Sequence, residues 1–171
     1  NPTPIRWRRS AQPSNLLPNP GFEADVNGDE VFDHCDGWKP TLADWHDTTG
    51  SWHWDSQVAH TGKHSLSIRQ VTTHRTWESD PVPVSNQTSY RASAWIRTES
   101  LGEGTASLYV ACYDENGKWT GTVAHSARIT GTSDWRQVEA TVPAGRLPER
   151  TSVIRVNFSL KQAPAGVAWF D

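Results

Sequence analysis

The chain has 171 residues, enough for one domain with its own hydrophobic core. Its formal net charge of −3 argues against general affinity for nucleic acids, which usually shows as a basic surface. No apolar run approaches the length of a membrane span and no secretory signal peptide is recognisable, so we expect a mature or excised fragment that does not associate with membranes.

Residues 1–14 contain three prolines and the cluster Arg6-Trp7-Arg8-Arg9. A short basic cluster is typical of a solvated tail, and the ends of a domain are where such tails occur. We therefore expect an N-terminal arm or interdomain linker over residues 1–14 and a single domain over residues 15–171.

Residues 15–23 combine a short apolar strand, a turn, an aromatic ring and a carboxylate. Pro20 fixes φ and Gly21 tolerates a positive φ, so Asn19-Pro20-Gly21 predicts a tight bend rather than the start of a helix. The bend turns Phe22 inward.

The last four residues, 168–171, repeat the pattern of an aromatic ring followed by a carboxylate. We expect the two ends of the domain to lie side by side, with Glu23 and Asp171 sharing a hard cation, which for oxygen ligands points to Ca²⁺. A competing calcium site is the D-x-N-x-D spacing of residues 25–29. However, Glu30 stands where such a loop needs glycine and no flanking helices are predicted, so we prefer to interpret it as a solvated acidic loop.

From Trp38 onward, most segments alternate apolar and polar residues and are bounded by Gly, Pro, Asn or Ser, which predicts strands. No window of useful length shows a helical period, and Asn116-Gly117 marks a tight hairpin. The pattern predicts an all-β antiparallel β-sandwich or jelly roll. The predicted strands are residues 51–55, 64–71, 76–84, 89–98, 105–114, 118–128, 135–142, 152–161 and 166–171.

Three of these strands have one clean apolar side and a second side rich in Arg, Tyr, Trp and Asn. We expect the apolar sides to form the core, and the second sides to form one open face if the strands are neighbours. The apolar sets are Tyr90, Ala92, Ala94 and Ile96; Leu108, Val110 and Cys112; and Ile154, Val156, Phe158 and Leu160. The polar sets are Arg91, Ser93, Trp95 and Arg97; Tyr109, Ala111 and Tyr113; and Arg155, Asn157 and Ser159.

The two cysteines, Cys35 and Cys112, lack the spacing of a metal site. Two alternatives stay open. They pair as a disulfide in an oxidising compartment, or Cys112 is a buried free thiol on a strand.

The chain contains ten Trp but only three Tyr and four Phe, and so many large rings cannot all be buried. Aromatic rings stack on the C–H faces of sugars, while Arg, Asn and Asp hydrogen-bond to the hydroxyls, so an aromatic and polar sheet face suits an oligosaccharide. Trp52-His53-Trp54 adds to this pattern. The remaining Trp are assigned as framework (Trp38, Trp135, Trp169), ambiguous (Trp77) or rim contacts in loops (Trp7, Trp45, Trp119).

Catalysis has little support, because the chain lacks the common nucleophile, zinc and phosphate-loop motifs. Carboxylates such as Glu78, Asp80, Asp114 and Glu139 show no spacing that predicts a facing glycosidase pair. We therefore expect a binding protein rather than an enzyme.

The chain contains a series of short motifs at residues 15–23, 37–38, 60–66, 77–79, 90–97, 113–117, 134–138 and 168–171. In this order they resemble the carbohydrate-binding modules of the family 4/9/16/22 grouping, which have a galactose-binding-like jelly roll. The resemblance runs from about residue 15 to the end.

The resemblance implies a non-catalytic module attached to a secreted polysaccharide-degrading enzyme. It also implies a structural calcium ion held by Glu23, the backbone carbonyl of Lys63 and Asp171. In xylan-binding relatives an aromatic after an Arg-Thr pair lines the cleft, which corresponds to Trp77, and a Tyr before the hairpin corresponds to Tyr113. Where those relatives carry aromatics and an acid on the next-to-last strand, this chain carries Arg155, Asn157 and Ser159.

The sequence thus predicts a secreted, monomeric module that binds polysaccharide, carries Ca²⁺ and belongs to a longer polypeptide with a catalytic domain. If Arg91, Arg97 and Arg155 lie together, they would suit sugars that bear carboxylates. The alternatives are a β-sandwich that only braces a neighbouring catalytic domain, or a small jelly-roll lyase or hydrolase. The expected sugar-binding residues are Trp52, Trp54, Trp77, Arg91, Trp95, Tyr109, Tyr113, Arg155 and Asn157.

Overall fold

The structure is a computed structural model that describes residues 15–25, 35–42 and 49–171. These residues form ten β-strands and no helix, so the predicted all-β class is confirmed, and nothing among them could cross a membrane as a helix. The strands are β1 (Trp38–Leu42), β2 (Ser51–Asp55), β3 (Ser65–Ser79), β4 (Val82–Pro83), β5 (Tyr90–Glu99), β6 (Thr105–Tyr113), β7 (Trp119–His125), β8 (Ile129–Thr130), β9 (Ser133–Val142) and β10 (Val153–Phe170).

All strand pairs are antiparallel, and the two longest strands, β3 and β10, each serve two layers. In the first layer, β1, the end of β3, the start of β10 and β6 lie side by side, with β7 and β8 beyond β6 and β4 against β10. In the second layer, β2, the start of β3, the end of β10, β5 and β9 follow in order. The antiparallel sandwich that the sequence predicts is therefore present.

The long strands pass from one layer to the other at a bend. The rings of Phe158 and Phe170, both on β10, stack 4.9 Å apart, although a straight strand would hold them about 40 Å apart. The backbone bends at Gln162 (φ 51°) and, on β3, at Gln70 (φ 54°). The sequence predicted two separate strands in each case, 64–71 and 76–84, and 152–161 and 166–171. That was wrong, because β3 and β10 are each continuous and their mutual hydrogen bonding resumes beyond the bends.

The core lies between the two layers and uses the apolar sides predicted from alternation. Ile96, Leu108, Leu160 and Phe170 are completely buried, and such side chains each contribute about 1.5–3 kcal/mol. The opening bend adds to the core. Trp38 stacks on Phe158 at 4.8 Å and meets the edge of Phe22 at 5.3 Å.

Both cysteines are buried free thiols, so the thiol alternative is the one found for Cys112 and no disulfide joins it to Cys35. Cys35 lies beside the opening bend, where the side-chain amide of Asn19 contacts its sulfur at 3.0 Å. Burial, together with the nearby charges of Asp36 and Glu23, raises the pKa of the Cys35 thiol to about 12. This thiol is therefore unreactive at neutral pH.

Several predictions fall outside the described residues. These are the N-terminal arm over 1–14, most of the acidic loop over 25–30, and Trp7 and Trp45 as rim contacts. The hairpin at residues 114–117 is described and confirmed. Gly117 has φ 75°, and the Asp114 amide donates to the carbonyl of Lys118 at 2.9 Å.

Candidate functional site

The outward side of the first layer collects polar and aromatic side chains from β1, β3, β6, β7 and β10. Residues paired directly across antiparallel strands project to the same side, so the strand register defines this surface. We call it the tyrosine face. Its members are Lys39, Thr76, Glu78, Tyr109, Tyr113, Trp119, His125, Arg155, Asn157 and Ser159.

Glu78 is the centre of the tyrosine face and is only 6% exposed. Its carboxylate lies 3.2 Å from Lys39 Nζ and 3.3 Å from Arg155 Nη1, and it accepts a hydrogen bond of 3.0 Å from the hydroxyl of Tyr113. Two cations and a hydroxyl thus satisfy a carboxylate that would be costly to bury alone.

Arg155 is fixed by three partners. Besides Glu78, its Nη1 donates to the carbonyl of Ser79 at 3.0 Å, and its guanidinium lies 5.6 Å from the centre of the Tyr113 ring. Since these contacts hold the guanidinium plane in place, its remaining N–H groups are oriented before any ligand arrives.

The two tyrosines of the face stay protonated at physiological pH. Burial, with the negative charge of Glu78, raises the pKa of Tyr109 to about 12. The same two causes raise the pKa of Tyr113 further, and its hydrogen bond to Glu78 raises it as well. Each hydroxyl is therefore neutral and can donate and accept hydrogen bonds.

Small polar groups form the floor between these side chains. Asn157 and Ser159 on β10 are almost fully buried, and Ser159 Oγ lies 2.8 Å from His74 Nε2. The Tyr109 ring lies between two imidazoles, 6.4 Å from that of His74 and 5.8 Å from that of His125. Burial, with nearby cationic side chains, lowers the pKa of His125, so its ring is neutral at neutral pH.

Tyr109, Tyr113, Arg155 and Asn157 lie together on this face as the alternation predicted. Sequence reasoning missed Glu78 as a site residue, because it considered this carboxylate only as one half of a glycosidase pair. Alternation along β3 places Glu78 on the side opposite Trp77, but only the pairing of β3 with β10 shows that it meets Arg155.

The prediction that Trp77 lines the site is wrong. Its ring is completely buried in the core, and its Nε1 donates to the carbonyl of Ser67 at 3.1 Å. The reason is register. Trp77 pairs with Phe158, whose side chain also faces the core, so both rings point between the layers.

Trp52 and Trp54 also face inward, because on β2 they pair with the core residues Ile68 and Leu66. Trp54 is 8% exposed, and its Nε1 donates to the carbonyl of Phe22 at 2.7 Å. Trp52 is half-buried and donates to the carbonyl of Thr76 at 2.8 Å. Their predicted role as sugar contacts is therefore not supported, since both indoles donate hydrogen bonds to backbone carbonyls within the fold.

Arg91 and Trp95 lie on the outward side of the second layer, away from the tyrosine face. We call this surface the arginine face, formed by Arg91, Trp95, Arg97 and Trp169. Arg91 pairs with Glu139 at 3.6 Å, Trp95 stacks on His60 at 4.1 Å, and Arg97 lies over the Trp169 ring at 5.4 Å. The expectation of one shared face was wrong because β5 pairs with the second half of β10, beyond its bend.

This separation also removes the basis for an arginine cluster. Arg91 and Arg97 belong to the arginine face, whereas Arg155 belongs to the tyrosine face and is paired with Glu78. A carboxylate-bearing sugar would therefore not meet the three guanidinium groups at once.

The two ends of the domain meet at one loop, as predicted. Glu23 Oε1 accepts hydrogen bonds from the backbone N–H groups of Lys63 and His64 at 2.7 and 2.9 Å. Asp171 Oδ2 accepts those of His60 and Thr61 at 2.9 and 3.0 Å. We call this arrangement the clasp.

The clasp needs glycine at position 62, where φ is +65° and an added Cβ would collide with the Glu23 carboxylate. Burial alone would raise the pKa of Glu23, but hydrogen bonds from Lys63 and His64 outweigh it and lower the pKa. The first and last segments of the domain are thus tied together through carboxylates.

The clasp offers carboxylate oxygens, the ligand type that a hard cation prefers, from two residues. Each carboxylate is anchored by backbone N–H groups through one oxygen, while the other oxygen makes one side-chain contact, from Glu23 to His64 at 3.2 Å and from Asp171 to Thr61 at 3.0 Å. Within the described part of the chain no group of three or more His, Cys, Asp and Glu converges, so a cation here would need backbone carbonyls as well.

Comparison with known proteins gives a family and a fold. Residues 14–164 match the family described as Carbohydrate binding domain, whereas no curated protein sequence matches the chain. A Family 16 Carbohydrate Binding Module-2 aligns with TM-score 0.61 and 18% identity, covering 92% of this chain and 96% of that one. TmCBM61, solved with β-1,4-galactotriose, aligns with TM-score 0.55 and 18% identity, covering 92% of this chain and 94% of that one. The enzymatically active domain of tailspike protein 4 from bacteriophage CBA120 aligns with TM-score 0.60 and 12% identity, covering 91% of this chain but 20% of that one.

Proposed function

The chain belongs to the carbohydrate binding domain family, and on that premise we propose that it binds polysaccharide chains through the tyrosine face without catalysing their cleavage. The observation that carries the proposal is the cluster around Glu78. There, a buried carboxylate orients the hydroxyl of Tyr113 and the guanidinium of Arg155 on one outward surface. Preorganised donors and acceptors beside aromatic rings are what a polyhydroxylated ligand requires.

The ion pairing of the face favours a neutral sugar chain as the ligand. Lys39 and Arg155 are both engaged by Glu78, and the tyrosine hydroxyls are uncharged. The similarity to a module solved with galactotriose, a neutral sugar, agrees with this choice. Hydroxyl recognition through Tyr109, Tyr113 and Arg155 would then provide most of the specificity.

The module serves, in this proposal, as a secreted, monomeric accessory domain that holds an attached catalytic domain on its polysaccharide. Its similarity to a part of the bacteriophage tailspike, of which the matched region is about a fifth, supports a modular use of the fold. A structural Ca²⁺ held by Glu23, the Lys63 carbonyl and Asp171 would reinforce the clasp by linking the first and last segments of the domain.

Affinity gels and isothermal titration with neutral and uronate-containing polysaccharides, each with and without EDTA, test the proposal. We expect retention on one or more neutral polysaccharides and little on acidic ones, with no release of reducing ends during incubation. Equal retention on both classes would remove the neutral preference, and release of reducing ends would instead identify a lyase or hydrolase.

A second role, bracing a neighbouring domain, is favoured by one observation. A recess of about 450 Å³ opens beside Leu16 and Leu17 and is lined by apolar residues such as Val82 and Val142 and by polar ones such as Ser89 and Arg91. A partly apolar recess at the start of the domain suits packing against a neighbouring domain. In that case the isolated chain would show no affinity for any polysaccharide in the panel.

A further inference from the structure

We propose that Trp119 forms an additional sugar subsite at the hairpin end of the tyrosine face, so that the module holds a longer stretch of polysaccharide than the centre of the face alone. The inference rests on the proposed function and adds a residue that determines which chain lengths bind well. Trp119 is the first residue of β7, directly after the hairpin at residues 114–117.

The exposure of Trp119 sets it apart from the other aromatics. Its side chain is 59% exposed, and among the described residues Leu16 is the only other large hydrophobic with comparable exposure. Most Trp of the domain for which contacts are described are instead engaged by indole hydrogen bonds or ring stacking, as Trp54 and Trp77 are. A single exposed ring needs no functional explanation, so its position must decide.

The position of Trp119 is set by a register shift between β6 and β7. Cys112 pairs with Gly121, but the next residue, Tyr113, pairs with Trp119 and leaves Thr120 as the extra residue. Directly paired residues project to the same side with their Cβ atoms about 5 Å apart. The bulge therefore places the indole beside Tyr113 on the tyrosine face.

Trp119 supplies what the centre of the face lacks, which is an uncovered ring. The guanidinium of Arg155 lies over Tyr113, and the imidazoles of His74 and His125 flank Tyr109. Those tyrosines can bind sugars through their hydroxyls and edges. The flat surface of Trp119 remains open for the C–H face of a pyranose ring.

The hairpin fixes the backbone on both sides of Trp119 before binding. Asp114 Oδ1 accepts the backbone N–H groups of Asn116 and Lys118, both at 2.9 Å, and the Gly117 amide donates to the Asp114 carbonyl at 3.0 Å. Thr120 Oγ1 lies 2.9 Å from Thr151 Oγ1, which joins β7 to the loop before β10. Little ordering is then needed when a sugar stacks on the ring.

The geometry predicts a dependence on ligand length. Tyr109 and Tyr113 lie about 14 Å apart along β6, and Trp119 extends the surface beyond Tyr113 across the sheet. A disaccharide bound beside Tyr109 does not reach the indole, whereas a hexasaccharide can span the path from Tyr109 past Tyr113 to the indole. Trp119 should therefore contribute to the affinity of long ligands and not of short ones.

The test is isothermal titration of the full chain with di-, tri- and hexasaccharides of β-1,4-galactan, β-1,4-xylan and cellulose. We expect Trp119→Ala to weaken hexasaccharide binding about tenfold, equivalent to 1.4 kcal/mol, and to leave disaccharide binding unchanged. Lys118→Ala, on the same hairpin, is the matched control and should change neither. Because Trp119 is exposed, the melting temperature of Trp119→Ala should stay close to that of the wild type.

The outcomes separate the two proposals. Equal hexasaccharide affinity in Trp119→Ala and wild type, or an equal loss for short and long ligands, overturns the Trp119 subsite while the proposed function stands. If the wild type binds none of these sugars and none of the polysaccharides in the affinity panel, the proposed function itself fails.

Discussion

The hydroxyl of Tyr113 and the carboxylate of Glu78 form a 3.0 Å hydrogen bond although their strands, β6 and β3, are separated by β10. Between them Arg155 completes the contact from the middle strand. Three neighbouring strands thus fix one polar cluster, and any shift of register would take it apart.

Replacing Trp77 with alanine should destabilise the fold rather than remove a sugar contact. The ring is completely buried, and removal of a large aromatic from a core costs about 3–5 kcal/mol of the free energy of unfolding. Urea unfolding checks this, with Trp119→Ala as the control because it deletes the same ring from an exposed site. A Trp77→Ala variant with wild-type stability and lost binding would contradict the placement of this residue.

Asp55 should contribute strongly to stability through its buried carboxylate. It is 5% exposed and accepts hydrogen bonds from Trp169 Nε1 at 2.9 Å and Arg69 Nη2 at 2.7 Å. We expect Asp55→Asn to lower the free energy of unfolding by about 2 kcal/mol, because it weakens the hydrogen bonds that the carboxylate accepts from Trp169 and Arg69. The exposed Asp80→Asn is the control, and a similar small effect of both variants would argue against the network.

Stability should fall as the pH is lowered into the acid range. Burial alone would raise the pKa of Asp55, but hydrogen bonds from Gln57, Trp169 and Arg69 hold it below its usual range, and the pKa of Glu23 is also lowered. The pKa values of both carboxyls are lower in the folded state than in the unfolded state, so unfolding takes up protons in the acid range. Their contribution to the free energy of unfolding is therefore complete at pH values above the unfolded-state pKa. It is lost as the pH falls through the folded-state pKa.

Melting temperatures recorded from neutral pH down through the carboxyl range measure this effect. Asp55→Asn should flatten the profile relative to the wild type, because one of the two shifted groups is gone. An identical slope for both proteins would show that the acid sensitivity arises elsewhere.

A structural calcium ion at the clasp should raise the melting temperature without being required for folding. A cation that binds only the native state stabilises by mass action, so added Ca²⁺ should raise and EDTA should lower the melting temperature. Glu23→Gln combined with Asp171→Asn should abolish the difference. A melting curve that does not change between EDTA and Ca²⁺ in the wild type would rule the ion out.

Much of the fold could be predicted because alternation is a local property. The buried side chains around Ile96, Leu108 and Leu160 could be predicted from the alternation of apolar and polar residues along each strand alone. The passage of β3 and β10 between layers could not be predicted in this way, since the bends occur at Gln70 and Gln162, residues that carry no turn signal. The predicted strands therefore ended where the real strands bend.

The site was harder to predict because it depends on which strands are neighbours. Tyr109, Tyr113, Arg155 and Asn157 were assigned to the right side of their strands, but the same reasoning added Arg91, which belongs to the other layer. Alternation gives the side of each strand, whereas the layer depends on long-range pairing.

The direct test of the account is a comparison of two arginines by isothermal titration with the polysaccharide that the affinity panel retains most strongly. Arg155 belongs to the tyrosine face, while Arg91, on the arginine face, has a 69% exposed side chain. With the fold verified by melting temperature, we expect Arg155→Ala to weaken binding about tenfold or more and Arg91→Ala to leave it unchanged. Loss of affinity in Arg91→Ala with full affinity in Arg155→Ala would place the sugar on the opposite layer and contradict the account.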